Sequence, residues 1–253
     1  MSAIGAVFYR DYRQRITNIG WLFWDLLVPV AYLVLFGVGF DRAMPGEFIV
    51  AGTRVDYVAF LLPGVLAMTC VGVAMNTSWG FFMDKDSGIF YELLTYPITR
   101  EQLLVGKICF NVLLAITGAA LVILVAVFVL QVRIHAALLP LTFATIAITT
   151  AGWFFLFSIF AVRLHRMDSF NTLTSAAYII LMFMSTLFYP IEQLPVWFRS
   201  VALFNPMTWQ VDILRYSMLG LGSLPVLLVE GAAFIGFGLL CLFLSARSIG
   251  QAG

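Results

Sequence analysis

"WLFWDLLVPVAYLVLFGVGF", residues 21–40, carries a single charge and is long enough to cross the hydrocarbon of a bilayer as a helix, at roughly 20 residues per crossing. A charged segment precedes it and no small-residue cleavage site follows, so it reads as a retained span rather than a signal peptide. The rest of the chain repeats the pattern. Of 253 residues, 62% are hydrophobic and 11% charged, far from the balance of a water-soluble domain. Further apolar runs occupy about 57–83, 103–130, 137–162, 169–189 and 224–245. Only helices or closed barrels satisfy every backbone group in lipid. The expected fold is therefore an all-α integral membrane protein, one transmembrane domain over 1–253 with six transmembrane helices.

Charge sets the orientation. With the N-terminus inside, the inner segments hold Arg10, Arg13, Arg15, Lys85, Arg100, Lys107, Arg163, Arg166 and Arg247, and the outer ones Arg42, Arg54, Arg133, Arg199 and Arg215. Nine against five favours both termini inside, N-in/C-in. The net charge of +1 gives no reason to expect nucleic acid as a partner. Cys70, Cys109 and Cys241 all lie in apolar runs and read as small buried hydrophobes.

Two flanking segments are not simple loops. In residues 1–18, Ile4, Val7, Phe8, Tyr12 and Ile16 recur at helical spacing with Arg10, Arg13 and Gln14 opposite, the pattern of an interfacial helix against membrane lipids. Asp11 and Arg15 interrupt its apolar face and could pair with each other at i, i+4. A plain topology signal is the other reading. The stretch 190–223 is too long for a turn and too short for two crossings. Pro195 opens one short helix, and Asn205-Pro206, as N-cap and first helical residue, a second. With Trp197, Phe198, Phe204, Trp209 and Tyr216 concentrated there, short external re-entrant helices between spans five and six are expected. Phe188, Trp197, Phe204 and Trp209, together with Tyr189, are candidates for an aromatic external gate.

Several chemistries are missing. Gly106-Lys107 is followed by Ile108 and lacks the preceding glycine of a phosphate-binding loop. There is no HExxH, and His135 and His165 fall on opposite sides of the membrane, so no metal site is expected. Ser87, in "DSG", has no histidine in an obvious partner motif, and Gly88 reads as a helix start. What remains is transport, lipid handling or a scaffold.

Polar stripes bear on that choice. On the fifth span Asn171, Thr174, Ser175, Tyr178, Ser185, Thr186 and Tyr189 share a face; on the second, Thr69, Gly72, Asn76 and Gly80; on the fourth, Thr142, Thr145, Thr149 and Gly152. Small and hydroxylated faces are the ordinary glue of membrane helices, and the fourth reads that way. For the second and fifth, packing and a lined translocation path both stand. Of the acids in the spans, only Asp25 is weighed as functional. It costs about 2.5–3.5 kcal/mol at the bilayer centre and less at an interface, where it equally fits.

Between the second and third spans lies "DKDSGIFYELLTYPITREQLLVGK", residues 84–107. On a helical wheel Ile89, Phe90, Leu93, Leu94 and Tyr96 share an arc, with Tyr91, Glu92 and Thr95 opposite, and Pro97 stops the helix. A membrane-surface anchor could look like this. A docking surface for a cytoplasmic partner fits better, since two long spans need no further anchor.

"YELLTYPITREQLLVGKI" after the second span, "LFYPIEQLPVW" ending the fifth and "NPMTWQVDILRY" before the sixth resemble the membrane subunit of half-size bacterial ABC-2 type exporters, over essentially the whole chain. The resemblance implies a cytoplasmic coupling helix in segment 84–102, with Gly88, Phe90, Tyr91, Glu92, Leu93, Leu94, Pro97 and Arg100 as the residues facing a separate ABC ATPase, present in two copies. It implies a homodimer in the bacterial cytoplasmic (inner) membrane and a path along the second and fifth helices, assigned to Thr69, Asn76, Asn171, Thr174, Tyr178, Ser185 and Tyr189. The chain would then be no enzyme and hold no cofactor, ATP and Mg residing on the partner. Cargo would be amphipathic or a glycan or lipid-linked molecule. A self-contained ion-coupled carrier or channel is the alternative, which would normally show paired intramembrane acids or bases.

Overall fold

The computed structural model describes residues 2–37, 39, 48–50, 53–191 and 194–251; Val38, Phe40, Arg42, Glu192 and Gln193 lie outside them. Ser2 opens α1 (Ala3–Thr17), its hydroxyl accepting from the Gly5 amide at 3.2 Å. After Asn18 comes α2 (Ile19–Tyr32), which runs on through a π-helical turn, Leu33–Gly37. An antiparallel hairpin then forms from β1 (Phe48–Val50) and β2 (Thr53–Val55). No alternation in the sequence announces it. The remaining elements are α3 (Tyr57–Asp86), α4 (Ile89–Leu93), α5 (Arg100–Phe128), a 3-10 turn (Ala136–Leu138) leading into α6 (Leu139–Arg163), α7 (Met167–Phe183), α8 (Val196–Leu203), α9 (Pro206–Leu219) and α10 (Leu224–Gln251).

Among the described residues, four helical stretches are long and apolar enough to cross a membrane: Tyr57–Asp86, Arg100–Phe128, Ala136–Arg163 and Leu224–Ile249. Phe23–Gly37 is a shorter apolar one. The chain is thus a helical multi-pass membrane protein. Its centre is α3, whose apolar window is 83% buried against 22% for α10. Phe60, Leu61, Leu62, Leu66, Phe81 and Phe82 on α3 are fully enclosed, and α5, α6 and α9 pack around them. At 30 residues α3 is about 45 Å long, so it overshoots hydrocarbon of roughly 30 Å and carries Asp84–Asp86 beyond it.

Lipid offers no hydrophobic drive for helices to associate, so close approach and hydrogen bonds hold the bundle. The threonine stripe of α6 is one such face. Thr142 Oγ1 donates to Ser217 Oγ at 2.9 Å, and Gln210 bridges Thr149 and Trp153 at 2.9 and 2.7 Å. At Gly106 on α5 a Cβ would stand 2.7 Å from Val7 Cβ, and that missing side chain lets α1 lie directly on α5.

The fifth apolar run departs from its periodicity: α7 stops at Phe183, six residues short of 189. Side chains take the carbonyls that a continued helix would have used. Asn205 Nδ2 donates to Leu181 O at 2.8 Å and Met184 O at 2.9 Å, Ser185 Oγ donates to Met182 O at 2.7 Å, and Arg215 Nη2 donates to Thr186 O at 3.0 Å. Non-helical backbone is tolerated at membrane depth only when protein satisfies it in this way. Asn205 also accepts from the Met207 amide at 2.9 Å, capping α9 with Pro206 at its first position.

Asn205→Leu removes all three bonds at once. Each buried carbonyl left without a donor costs about 1–3 kcal/mol, so thermal unfolding of the purified chain in detergent should shift down clearly. An unchanged midpoint would show that the α7 end does not depend on Asn205.

Candidate functional site

At the end of the bundle that carries α4, four charged side chains converge. Lys107 Nζ on α5 donates to Asp84 Oδ2 at 2.8 Å and Asp11 Oδ2 at 3.2 Å; Arg10 Nη1 donates to Asp84 Oδ2 at 3.0 Å, and its other terminal nitrogen meets Asp84 Oδ1. Lys107 is 3% exposed, Asp84 5% and Asp11 8%. Two cations balance two anions, and α1, α3 and α5 are joined through them. Burial works against the Arg10 charge, but the hydrogen bond and charge of Asp84, with the charge of Asp11, hold its pKa above the ordinary value. The expected pairing of Asp11 with Arg15 is replaced. Asp11 turns into the bundle beside Val7, Arg10 leaves the polar side to reach Asp84, and Arg15 pairs with Asp25 on α2.

Other cations at this end close helices. Lys85 Nζ donates to Val162 O at 2.6 Å and Leu164 O at 2.8 Å at the end of α6, and Arg100 Nη1 donates to Ile249 O at 2.8 Å at the end of α10. Positive side chains on terminal carbonyls suit the negative ends of those helices.

Asp25 is 6% exposed and accepts from Asn76 Nδ2 at 2.6 Å as well as pairing with Arg15. This buried pair sits between two cavities, and Asn76 lines both. One, of about 220 Å³, lies toward the ion cluster and is bounded by Gln14, Arg15, Trp21, Trp79, Gly80 and Lys107. The other, of about 170 Å³, is bounded by Asp25, Tyr32, Met68, Thr69, Gly72 and Tyr178. Of the residues assigned to a path, the structure brings together Thr69, Asn76 and Tyr178. The rest are placed elsewhere. Asn171 is exposed, Thr174 is buried with its hydroxyl on Phe170 O at 2.7 Å, Ser185 is buried in the α7 terminus, and Tyr189 is 51% exposed beyond it.

The aromatic gate candidates do not gather into a lid within the chain. Phe188 stacks on Phe183 at 5.6 Å and Trp209 Nε1 donates to Leu203 O at 2.7 Å. Trp197 on α8 and Phe204, the residue just after it, are 64% and 82% exposed. An eight-residue helix with its apolar side turned out presents that side to lipid or to another chain.

In the coupling segment, Gly88 takes φ +81°, a left-handed turn that reverses the chain after α3. The helix that follows, α4, is a single turn, shorter than the two turns that Pro97 would permit. Phe90 is buried edge-on against Phe81 at 5.6 Å, and Leu93 and Leu94 pack on the core. Ile89, Tyr91, Glu92, Tyr96 and Pro97 face outward. The expected arc therefore divides: Phe90, Leu93 and Leu94 anchor the segment, while Ile89 and Tyr96 join Tyr91 and Glu92 on the open side.

Polar periodicity does not find Asp84, Lys107 or Glu230. Glu230 lies within the sixth apolar run, where a lone carboxylate is costly wherever it falls. That cost, rather than any stripe, is the signal that identifies it.

The chain matches the family described as ABC-2 type transporter over residues 2–219. It is similar to ycf38 of Cyanophora paradoxa, described as a transport permease, at 26% identity over 81% of this chain and 68% of that protein. It is 28% identical to "Probable multidrug ABC transporter permease YbhS" of Escherichia coli (strain K12), over 70% of this chain and 47% of that one. Nodulation protein J of Rhizobium leguminosarum bv. viciae is 26% identical over 78% of this chain and 74% of its own length. The matched region thus spans from about half to three-quarters of these relatives.

Lys107→Met leaves Asp84 and Asp11 buried with one cation between them, and breaking such a cluster costs about 3–5 kcal/mol. The variant should lose most of its folded yield, whereas Thr117→Val, on the exposed side of α5, should match the parent in size-exclusion profile and melting. Equal behaviour of the two variants would remove the cluster from the structural account.

Proposed function

Since the chain belongs to the ABC-2 type transporter family, whose members are transport subunits rather than enzymes, we propose that it is the permease subunit of an ATP-driven exporter, powered by a separate ATPase chain. The observation that carries this reading is α4. A one-turn helix, anchored inward by Phe90, offers Ile89, Tyr91, Glu92 and Tyr96 outward at the end of α3, the most deeply buried helix of the bundle. A force applied there is delivered to the centre of the bundle through Phe90 and Phe81. The Arg10–Asp11–Asp84–Lys107 cluster links the same point to α1 and α5.

The full arrangement is six spans with both termini inside, α2 and α7 completing the four longer helices. The distribution of Lys and Arg supports it. A homodimer is supported by α7, which leaves Leu173, Ile179, Ile180 and Phe183 exposed. Two such faces would enclose the cavities along α2 and α3. The cargo class is amphipathic or a glycan or lipid-linked molecule, and the setting is the bacterial cytoplasmic membrane.

Tyr91→Asp combined with Tyr96→Asp should leave the chain folded and reduce co-purification of its ATPase by on the order of tenfold or more, the loss of two aromatic anchors at an interface. Phe90→Ala should lose about 3–5 kcal/mol of stability as well, because it empties a core position. Retention of full ATPase binding by the Tyr91 and Tyr96 variant would sink the docking assignment. The path is tested separately by Gly72→Phe, where a Cβ meets nothing within 4 Å. It should fill the cavity beside Asn76 and abolish export while preserving assembly and ATPase binding.

A further inference from the structure

Far from α4, at the start of α10, Glu230 is 7% exposed and its Oε2 has no hydrogen-bond partner among the described residues. It faces a cavity of about 430 Å³ bounded by Thr186, Asp212, Arg215, Leu221, Val226 and Leu227. The other charges are already arranged. Arg215 Nη1 donates to Asp212 Oδ1 at 2.7 Å, Nη2 donates to Thr186 O at 3.0 Å, and the guanidinium lies 4.4 Å over the Phe60 ring. Thr186 Oγ1 donates to the same Asp212 oxygen at 3.3 Å. Two carboxylates thus share one guanidinium that is turned toward Asp212. Among the described residues, Asp212, Glu230 and Arg215 when ionised sum to one negative charge, and a buried carboxylate in that position calls for a cation.

The shape of the surroundings selects the kind of cation. Among the described residues no three His, Cys, Asp or Glu side chains are grouped to hold a metal ion, which leaves an organic cation held by one carboxylate. An ammonium group brings one charge and up to three donors to the unpaired oxygen. Beside the acidic cavity, and sharing Leu227 with it, runs a groove of about 450 Å³ between α6 and α10, bounded by Leu141, Ile148, Ile213, Leu228 and Ile235. Both volumes fall in the range of small-molecule sites, roughly 300–1,000 Å³. A polar head at Glu230 and an apolar body along the groove satisfy both at once.

We propose that this pair of cavities binds a primary or secondary alkyl ammonium, its nitrogen at Glu230 and its apolar part in the α6–α10 groove. Read as substrate recognition, the site rests on the transport function above; as a binding site it stands on the geometry alone. The chemistry is shared by cationic amphiphiles and by lipids with an amino headgroup.

The test uses the full chain in phosphatidylcholine nanodiscs with a dansyl-labelled undecylamine as probe, and its N-acetylated form as an uncharged control. The amine should bind saturably, the acetylated form should bind far more weakly, and Glu230→Gln should weaken the amine by about tenfold or more, the worth of one charged hydrogen bond. Discs enriched in phosphatidylethanolamine distinguish the source: displacement of the probe assigns a lipid headgroup, and persistence assigns a free amphiphilic amine. Equal binding of the amine and its acetylated form overturns the proposal, and this comparison needs no variant. Unchanged amine affinity in folded Glu230→Gln overturns it as well. Neither result depends on an ATPase, so failure here leaves the docking experiment at α4 to judge the permease reading independently.

Discussion

A charge or a backbone carbonyl inside a membrane-embedded bundle has no water to turn to, and every other feature of this protein is arranged around that constraint. Asp84, which lies past the hydrocarbon yet is 5% exposed within the protein, shows how ions meet it. Its two oxygens lie between Arg10 and Lys107, and Lys107 reaches on to Asp11. Such a cluster adds little stability over well-packed apolar residues of similar volume, because each ion is costly to desolvate. What it supplies is uniqueness: α1, α3 and α5 meet in one register, since any slip strands a buried charge. The close approach of α1 to α5 at Gly106 makes that register geometrically possible.

The opposite end of the bundle meets the same constraint with backbone rather than ions. Once α7 stops, four carbonyls between Leu181 and Thr186 lose the partners a longer helix would give them. Asn205, Ser185 and Arg215 replace those partners. The two ends therefore differ in character. The buried charges next to α4 balance, whereas at the far end Glu230 retains an oxygen without a partner among the described residues, beside the Asp212–Arg215 pair. An end whose buried charges pair across three helices suits the transmission of force, and an end with one buried carboxylate oxygen unmatched among the described residues suits recognition.

Helical periodicity located the polar faces but did not sort them. The α6 stripe packs through Thr142 and Thr149, which meet Ser217 and Gln210, while Thr145 donates to Leu141 O of its own helix and borders the α6–α10 groove. The α3 stripe is divided: Thr69 and Asn76 border a cavity, yet Asn76 is also held by Asp25. On α7 the line from Asn171 to Tyr189 does not exist as a helical face, because Ser185 and Tyr189 come after the last turn. Apart from Ser185, the partners that end that helix lie 21 to 29 positions away in sequence, beyond any local pattern. The wheel drawn for residues 89–96 fails for a related reason. Gly88 and the burial of Phe90 under Phe81 set which side faces in, so Ile89 and Tyr96 end up outside.

Composition and apolar run length by themselves determined that this is a helical membrane protein, where its four longest helices lie, and that a short polar segment with a proline separates α3 from α5. Those conclusions follow from the thickness of the bilayer and the need to satisfy backbone groups within a span, which are properties of each segment alone. Three ordered segments also carried the family resemblance. Tertiary structure alone decided which charge meets which, where α7 ends, which aromatic side chains turn outward, and that Asn76 and Tyr178 share a cavity. The physical reason is that pairing is a relation between segments far apart in the chain. A periodic pattern reports which face is polar, and only packing reports what that face touches.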